Sequence, residues 1–176
     1  SGTTGQPKGT VIEHRNVVRL MINDQMPFAF QEHDVWSMFH SYNFDFSVWE
    51  MYGALLYGGK VVVVPRAATK DSYAFLDLLR KERVTVLNQV PSAFYELMHA
   101  ELMSEDERLS VQHLIFGGEA LQVGKLKGWQ AKYPEMNIVN MYGITETTVH
   151  VTHKTIREAD IARGISNIGN AIPTLK

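Results

Sequence analysis

The chain has 176 residues, of which 45% are hydrophobic and 20% charged, a composition typical of a globular domain with a real core. Its net charge of -2 gives no electrostatic reason to expect nucleic acid or an anionic membrane as a partner. The absence of cysteine excludes disulfides, thiolate nucleophiles and cysteine-bound zinc, and it fits a cytoplasmic location. No apolar run approaches the roughly 20 residues that a membrane-spanning helix needs.

Along the chain, segments with helical spacing of apolar residues alternate with short β-branched runs that predict strands. In chain order, the predicted helices and strands are helix Arg15–Gln25, strand Val35–Phe39, helix Ser47–Tyr57, strand Val61–Val64, helix Asp71–Arg83, strand Val84–Leu87, helix Pro91–Leu102, strand Leu114–Phe116, helix Val123–Tyr133 and strand Ile138–Met141. This alternation predicts an α/β fold in which helices flank a largely parallel β-sheet.

Two features of this sheet follow from the pattern. The continuous run Val61–Val64 suits a strand that is buried on both faces. In parallel sheets, ligands gather at the loops that leave the carboxyl ends of the strands. The loops that we expect to carry chemistry are Ser41–Asp45, Asn88–Ser92, Gly117–Ala120 and Tyr142–Glu146.

The chain opens on a loop that is dense in glycine, hydroxyl groups and one lysine. Glycines bring backbone N–H groups close to phosphate oxygens, and hydroxyls and a cation add further contacts. The candidate phosphate-binding residues are Ser1, Gly2, Thr3, Thr4, Gly5 and Lys8. The spacing differs from that of a Walker A loop, and an ordinary surface turn stays open as an alternative.

Two further motifs follow predicted strands. Asn140–Thr148 supplies an aromatic ring that could stack on a base and a carboxylate, Glu146, that could hold Mg²⁺. Gly117–Ala120 allows the backbone to approach a flat ligand closely. A capped strand end and a plain strand-to-helix turn, respectively, would explain the same residues.

Together these segments resemble the signatures of adenylate-forming enzymes. Residues Ser1–Gly9 resemble the family's phosphate loop, and Asn140–Glu146 resembles its N-x-Y-G-x-T-E motif. Between them, His40–Glu50 is similar to the F-D-x-S segment of amino-acid-activating domains in nonribosomal peptide synthetases. The three occur in the family's order, so the resemblance covers essentially the whole chain and implies the large N-terminal domain of that fold.

The resemblance also implies a role for each matching residue. Ser1 to Gly9 would cover the β- and γ-phosphates of ATP, with Lys8 as a phosphate contact. The remaining implied roles are Gly118, Glu119 and Ala120 along the adenine, Tyr142 on its face, Asn140 near its edge, Gly143 in the same nucleotide motif, Thr145 at the α-phosphate, Glu146 on Mg²⁺ and His40 as a gate near the substrate carboxylate.

Asp45 distinguishes the classes of carboxylate that the family activates. In amino-acid-activating members, the corresponding aspartate pairs with the substrate's α-ammonium, a charge that is costly to bury without a partner. Acyl- and aryl-CoA ligases of the same superfamily have no such need. The alternative is that Asp45 caps the helix that starts near Ser47.

The family's other side-chain pocket positions suggest a small substrate with a hydroxyl group. They fall on Phe46, Trp49, Asn88, Ile115, Gly117, Met141, Val149 and His150. Phe46 and Trp49 would make the pocket small, and Asn88 and His150 would be polar groups at its rim that need partners. The set resembles that of threonine-activating domains, which predicts threonine first and serine second. Alternatively, Asn88 and His150 bond backbone or water.

The implied reaction is ATP-dependent formation of aminoacyl-AMP, followed by transfer to the phosphopantetheine thiol of a carrier protein. We expect residues 1–176 to be part of an adenylation domain whose C-terminal lid lies elsewhere, and to have little activity alone. The alternatives are an acyl- or aryl-CoA ligase and a non-catalytic nucleotide-binding module.

Overall fold

The computed structural model describes residues 9–23, 26 and 28–173. The predicted phosphate-loop residues Ser1, Gly2, Thr3, Thr4, Gly5 and Lys8 lie outside the described residues, as does the end of the helix predicted to reach Gln25. No described helix combines the length and the apolar character that crossing a membrane requires.

The predicted alternation of helices and strands is confirmed. The helices are α1 (His14–Met21), α2 (Phe46–Leu55), α3 (Ser72–Glu82), α4 (Pro91–Met103), α5 (Lys127–Lys132) and α6 (Glu158–Arg163). The strands are β1 (Val35–Met38), β2 (Lys60–Val63), β3 (Val86–Gln89), β4 (His113–Phe116), β5 (Asn137–Tyr142), β6 (Thr152–Thr155) and β7 (Asn170–Ala171). Short 3₁₀ turns precede α3 and α5 and follow β5.

The strands form one sheet in the order β2-β1-β3-β4-β5-β6-β7. Strands β1 to β5 run parallel, and β6 and β7 add an antiparallel edge. The predicted class, a largely parallel sheet flanked by helices, is therefore correct. Parallel pairing brings the carboxyl ends of β1, β3, β4 and β5 to one edge, and the loops after them share that edge.

Helices cover both faces of this sheet. Successive strand residues point in opposite directions, so each strand contributes side chains to the cores on both faces. On β4, Leu114 and Phe116 belong to the core beneath α3, α4 and α5, whereas Ile115 belongs to the core beneath α1 and α2. The core beneath α1 and α2 contains five of the predicted substrate-pocket residues: Phe46, Trp49, Ile115, Met141 and Val149.

A buried carboxylate ties the helices of the first layer together. Glu101 on α4 is fully buried and accepts from Arg80 of α3 at 2.5 Å, from Lys132 of α5 at 2.7 Å and from the Tyr133 hydroxyl at 2.5 Å. Burial and the bond to Glu101 both raise the pKa of Tyr133, which stays a neutral donor. Paired in this way, Glu101 avoids the cost of an uncompensated buried charge.

Several sequence-based expectations need correction. The strand at Val61–Val64 is not buried on both faces: β2 forms the sheet edge, and Val63 is 70% exposed. The predicted helix Val123–Tyr133 divides into a 3₁₀ turn and the short α5. The strand predicted at Val84–Leu87 begins and ends two residues later in the structure. Elements β6, α6 and β7 were not predicted.

Helix α2 lies so close to β1 that one position on it accepts only glycine. A Cβ atom at Gly53 would lie 2.2 Å from Cη2 of the fully buried Trp36. This close approach fixes the depth of α2, whose first turn carries Phe46 and Trp49.

Replacing Gly53 with alanine is expected to lower the free energy of unfolding by about 1–3 kcal/mol, because the new methyl overlaps the Trp36 ring. Gly128→Ala in α5 is the matched control, since its methyl meets only Leu102 Cδ1, at 3.1 Å, and alanine favours a helix by about 1 kcal/mol over glycine. Urea unfolding measures both. Equal stability of the two variants would contradict the tight contact between α2 and β1.

Candidate functional site

An open cavity of about 450 Å³ lies at the carboxyl edge of the sheet. Loops after β1, β4 and β5 line it, three of the four in which chemistry was predicted; the loop after β3 does not reach it. The predicted site residues among its lining are Asp45, Phe46, Gly118, Gly143, Thr145, Glu146, Val149 and His150. Three of the loops expected to carry chemistry therefore meet at one cavity.

The Asp45 carboxylate faces this cavity and does not cap α2. Asp45 immediately precedes the helix, yet its side chain makes no capping hydrogen bond. Its Oδ2 instead accepts a hydrogen bond of 2.6 Å from the Thr145 hydroxyl, which is 100 residues away along the chain. A loop after β1 and a turn after β5 thus meet at this carboxylate.

The described charged residues that line the cavity are all acidic. Its described lining contains two carboxylates, Asp45 and Glu146, and neither lysine nor arginine. The one histidine of the lining, His150, is 3% exposed, and burial lowers its pKa to about 3, so it is neutral near pH 7. Two negative charges without a cation among the described lining residues suit a positively charged ligand.

A strained turn after β5 brings Thr145 and His150 to the cavity. Residues Thr145–Thr147 form a 3₁₀ turn that Thr147 closes through bonds between its hydroxyl and the Ile144 backbone. Thr148 and Val149 then adopt φ values of 66° and 65°, which β-branched residues rarely do. Such strain, of order 1–3 kcal/mol for each residue, is concentrated at functional sites.

The same turn requires Gly143. A Cβ atom there would lie 2.2 Å from the Val149 carbonyl oxygen. Gly143 therefore permits the chain to fold back on itself and seat Val149 and His150 in the lining.

The floor of the cavity is aromatic. The His150 ring lies edge-on to Phe46 and to Trp49, with ring centroids 5.2 Å and 5.0 Å apart. Gly117 supports this packing, because a Cβ atom there would be 3.0 Å from His150 Cε1. Neither ring nitrogen of His150 has a hydrogen-bond partner among the described residues.

Asn88 lies below this floor. Its Oδ1 accepts from Trp49 Nε1 at 2.9 Å, which fixes the orientation of the amide, and its Nδ2 has no partner within the described part of the chain. Asn88 and His150 were expected at the rim, but both are deeply buried. Ile115 pairs with Asn88 across β3 and β4, and Met141 is likewise buried in the same core.

His40 lies behind the cavity and does not line it. Its Nδ1 bonds Glu50 Oε1 at 2.9 Å, and its ring stacks on Phe46 with centroids 4.6 Å apart. Glu50, on α2, also accepts from the backbone N–H groups of Phe39 and His40. Burial raises the pKa of Glu50, and the hydrogen bonds from His40 oppose that effect. Sequence reasoning missed Glu50, although it stands in the quoted His40–Glu50 segment.

The structure leaves four of the predicted nucleotide contacts outside the cavity lining. Glu119 accepts from the backbone N–H and hydroxyl of Ser92 at the start of α4. Asn140 is buried and donates to the Asn167 carbonyl at 2.9 Å. Tyr142, at the end of β5, and Ala120 are exposed.

Four other residues line the cavity, and the sequence motifs implied no individual role for them. They are Asn43, Phe44 and Ile144, which lie within the predicted loops, and Thr10, which lies outside them. Phe44 lies 3.4 Å from the position that a Cβ atom of Gly118 would occupy, so the loops after β1 and β4 are in contact there. Asn43, Phe44 and Ile144 lie within motifs already singled out in the sequence, and Thr10 directly follows one, which is the signal that could have found them.

The described residues contain no cluster of three or more histidine, aspartate or glutamate side chains that could enclose a metal ion. Glu146 supplies one carboxylate, and Thr145 beside it supplies a hydroxyl. This donor set fits Mg²⁺, which is commonly bound by one or two carboxylates together with waters and substrate phosphates.

The sequence of the chain matches a known protein family. Residues 1–176 match the family described as AMP-binding enzyme over the full length of the chain. The chain belongs to the AMP-binding enzyme family. The family membership that the three sequence signatures predicted is therefore confirmed.

The chain is similar in sequence and structure to parts of peptide synthetases. It is 57% identical to one component of the plipastatin synthase of Bacillus subtilis over 176 residues, the whole of this chain and 7% of that protein. Among solved structures, the nonribosomal peptide synthetase FmoA3 is 30% identical, with a TM-score of 0.83 over 94% of this chain and 18% of that one. PA1221, which contains adenylation and PCP domains, is 26% identical, with a TM-score of 0.81 over 98% of this chain and 34% of that one.

The neutral, buried His150 is expected to make stability depend on pH. The ring accepts a proton near its ordinary pKa of 6.5 in the unfolded chain but only near about 3 in the folded one. Because the unfolded state then binds more protons, stability falls as the pH drops below 6.5, by up to about 1.4 kcal/mol per pH unit.

His150→Asn should flatten this dependence, whereas His33→Asn, at an exposed position, should leave it unchanged. Urea unfolding at a series of acidic pH values gives the slopes. Equal slopes for the parent and His150→Asn would show that the ring binds protons as readily in the folded chain as in the unfolded one, contrary to this expectation.

Proposed function

We infer that this chain contributes the substrate cavity of an adenylation domain, which uses ATP to convert an amino acid into aminoacyl-AMP. One observation carries the proposal. The cavity holds the Asp45 carboxylate beside Thr145, with no lysine or arginine in its described lining. An α-ammonium group would supply the missing positive charge.

The same observation favours amino acids over fatty or aryl acids. An uncharged acyl chain would leave the Asp45 carboxylate desolvated and without a counter-ion, which is unfavourable. The similarity to plipastatin synthase and to FmoA3 supports an amino-acid substrate and argues against the acyl- and aryl-CoA ligase alternative.

In the proposed reaction, a carboxylate oxygen of the amino acid attacks the α-phosphorus of ATP. A new oxygen–phosphorus bond forms while the bond to pyrophosphate breaks, and no acid or base has to be consumed. Thr145 would contact the α-phosphate, and Asp45 would hold the ammonium so that the carboxylate points at phosphorus. Catalysis of this kind rests on positioning and on charge neutralisation.

Mg²⁺, held by Glu146 and the phosphates, would supply the neutralising charge. Lys8 of the phosphate loop would add a second cation. Both assignments follow from the family's signatures.

We further propose that the aminoacyl group passes to the phosphopantetheine thiol of a carrier protein, with release of AMP. PA1221, in which adenylation and PCP domains occur in one protein, supports this partner.

Threonine is the proposed substrate, with serine second. His150 is neutral, so one ring nitrogen can donate a hydrogen bond and the other can accept one, which matches a hydroxyl group. Both nitrogens lack partners among the described residues, and so does the Asn88 amide nitrogen beneath them. Phe46 lines the cavity and would offer an apolar wall to the threonine methyl, and Trp49 packs behind His150.

Asp45→Asn in the full-length protein is expected to lower threonine-dependent pyrophosphate exchange by at least about 100-fold, since an uncompensated buried ammonium costs about 3 kcal/mol or more. Asp77→Asn, at an exposed position on α3, is the matched control and should retain parental exchange. The parent is assayed with a panel of amino acids. Undiminished exchange by Asp45→Asn would refute the ammonium assignment, and a dominant signal from any substrate other than threonine or serine would refute the pocket assignment.

Trp49→Phe is expected to reduce the preference for threonine over valine by about tenfold. Without the indole N–H, nothing among the described residues fixes the Asn88 amide beneath His150, and the polar group proposed to penalise valine is no longer held in place. Trp129→Phe is the control, because it removes an indole N–H, bonded to Met136, on the opposite face of the sheet. The readout is the ratio of kcat/KM for the two amino acids. An unchanged ratio in Trp49→Phe would contradict this role of Asn88.

A further inference from the structure

A single hydroxyl proton links Asp45, the proposed contact of the ammonium group, with Thr145, the proposed contact of the α-phosphate. Thr145 donates it to Asp45 Oδ2 across 2.6 Å, the length expected of a hydroxyl bonded to an ionised carboxylate. The direction of donation follows from chemistry, because a carboxylate only accepts and a threonine hydroxyl carries one proton.

This proton makes only one full-strength hydrogen bond at a time. An α-phosphate oxygen is, like a carboxylate oxygen, an acceptor only. If Thr145 donates to the phosphate, the Asp45 side chain loses the one hydrogen bond that it makes among the described residues. Asp45 would then stand as a bare carboxylate beside a second negative group, which is unfavourable.

We propose that the Thr145 hydroxyl couples nucleotide and amino-acid binding by redirecting its hydrogen bond from Asp45 to the α-phosphate when an ammonium group reaches Asp45. This inference rests on the proposed function and assigns Thr145 a role beyond that of a phosphate contact. An ammonium group has three donors and can satisfy both oxygens of Asp45, so the Thr145 hydroxyl, which keeps its proton, is free to donate to the phosphate. Each bound ligand therefore lowers the free-energy cost of binding the other.

The two ligands are expected to bind with positive cooperativity, which direct contact between them would not produce. The carboxylate of the amino acid and the phosphates of ATP repel each other, so direct contact between the ligands works against joint binding. Redirecting the hydrogen bond of the Thr145 hydroxyl instead makes binding positively cooperative. By linkage, threonine raises the affinity for nucleotide by the same factor as nucleotide raises the affinity for threonine.

The test is calorimetric titration of threonine into the full-length protein with and without α,β-methylene-ATP, which cannot release pyrophosphate. We expect this nucleotide to raise the affinity for threonine on the order of fivefold or more. 3-Hydroxybutanoate, which has the carboxylate and the hydroxyl but no ammonium, should show no such gain.

Thr145→Val should reduce the coupling factor to about one, and Thr145→Ser, which keeps the hydroxyl, should restore it. A merely structural defect would weaken both affinities and leave their ratio unchanged. Thr145 is exposed, so neither substitution removes core packing.

Coupling that survives in Thr145→Val, or that is absent from the parent, would overturn the inference. Pyrophosphate exchange measured on the same parent protein keeps this result separate from the proposed function. Threonine-dependent exchange without coupling would refute the role of Thr145 alone, whereas absence of exchange with every amino acid would refute the proposed function itself.

Discussion

A carboxylate facing a half-enclosed cavity without a cation is the constraint on which the rest of this site depends. Asp45 is placed there by the loop after β1 and held by a hydroxyl from the turn after β5. Because a threonine hydroxyl is neutral, the bond orients the carboxylate but does not compensate its charge. The cavity, as far as its described lining shows, is therefore arranged for a ligand that brings positive charge with it.

Two local features of the fold produce this arrangement. One is the close approach of α2 to β1, which Gly53 permits and which sets Phe46 and Trp49 beneath the cavity. The other is the left-handed backbone at Thr148 and Val149, which turns the chain after β5 so that His150 points inward. The regular sheet contributes the common edge at which these two features meet.

Much of this could be predicted from the sequence, because apolar runs and helical spacing report burial directly. The five parallel strands, their intervening helices and the edge that carries the cavity all follow from that pattern. Burial does not report position within a sheet, however, so the Val61–Val64 run gave no sign that β2 lies at an edge. Strands β6 and β7 were not predicted, because Thr152–Thr155 is mostly polar and Asn170–Ala171 is only two residues long.

The site was harder to predict than the fold, for a related reason. Motifs identified Asp45, Thr145 and His150 as candidates, but hydrogen bonds between residues 39 or 100 positions apart leave no local trace. The depth of Asn88 and the place of His40 behind Phe46 depend on how whole layers pack. Only the folded chain shows that His150 lies in the aromatic floor of the cavity and Asn88 beneath it, although both were expected at the rim.

A crystal structure of the full-length protein with a non-hydrolysable threonyl-adenylate analogue would show whether Asp45 holds the ammonium group. We expect the analogue's amine nitrogen to lie within about 3 Å of an Asp45 carboxylate oxygen, with its side-chain hydroxyl directed at His150. An ordered analogue whose amine contacts other groups, with the Asp45 carboxylate turned away from it, would contradict this role of Asp45.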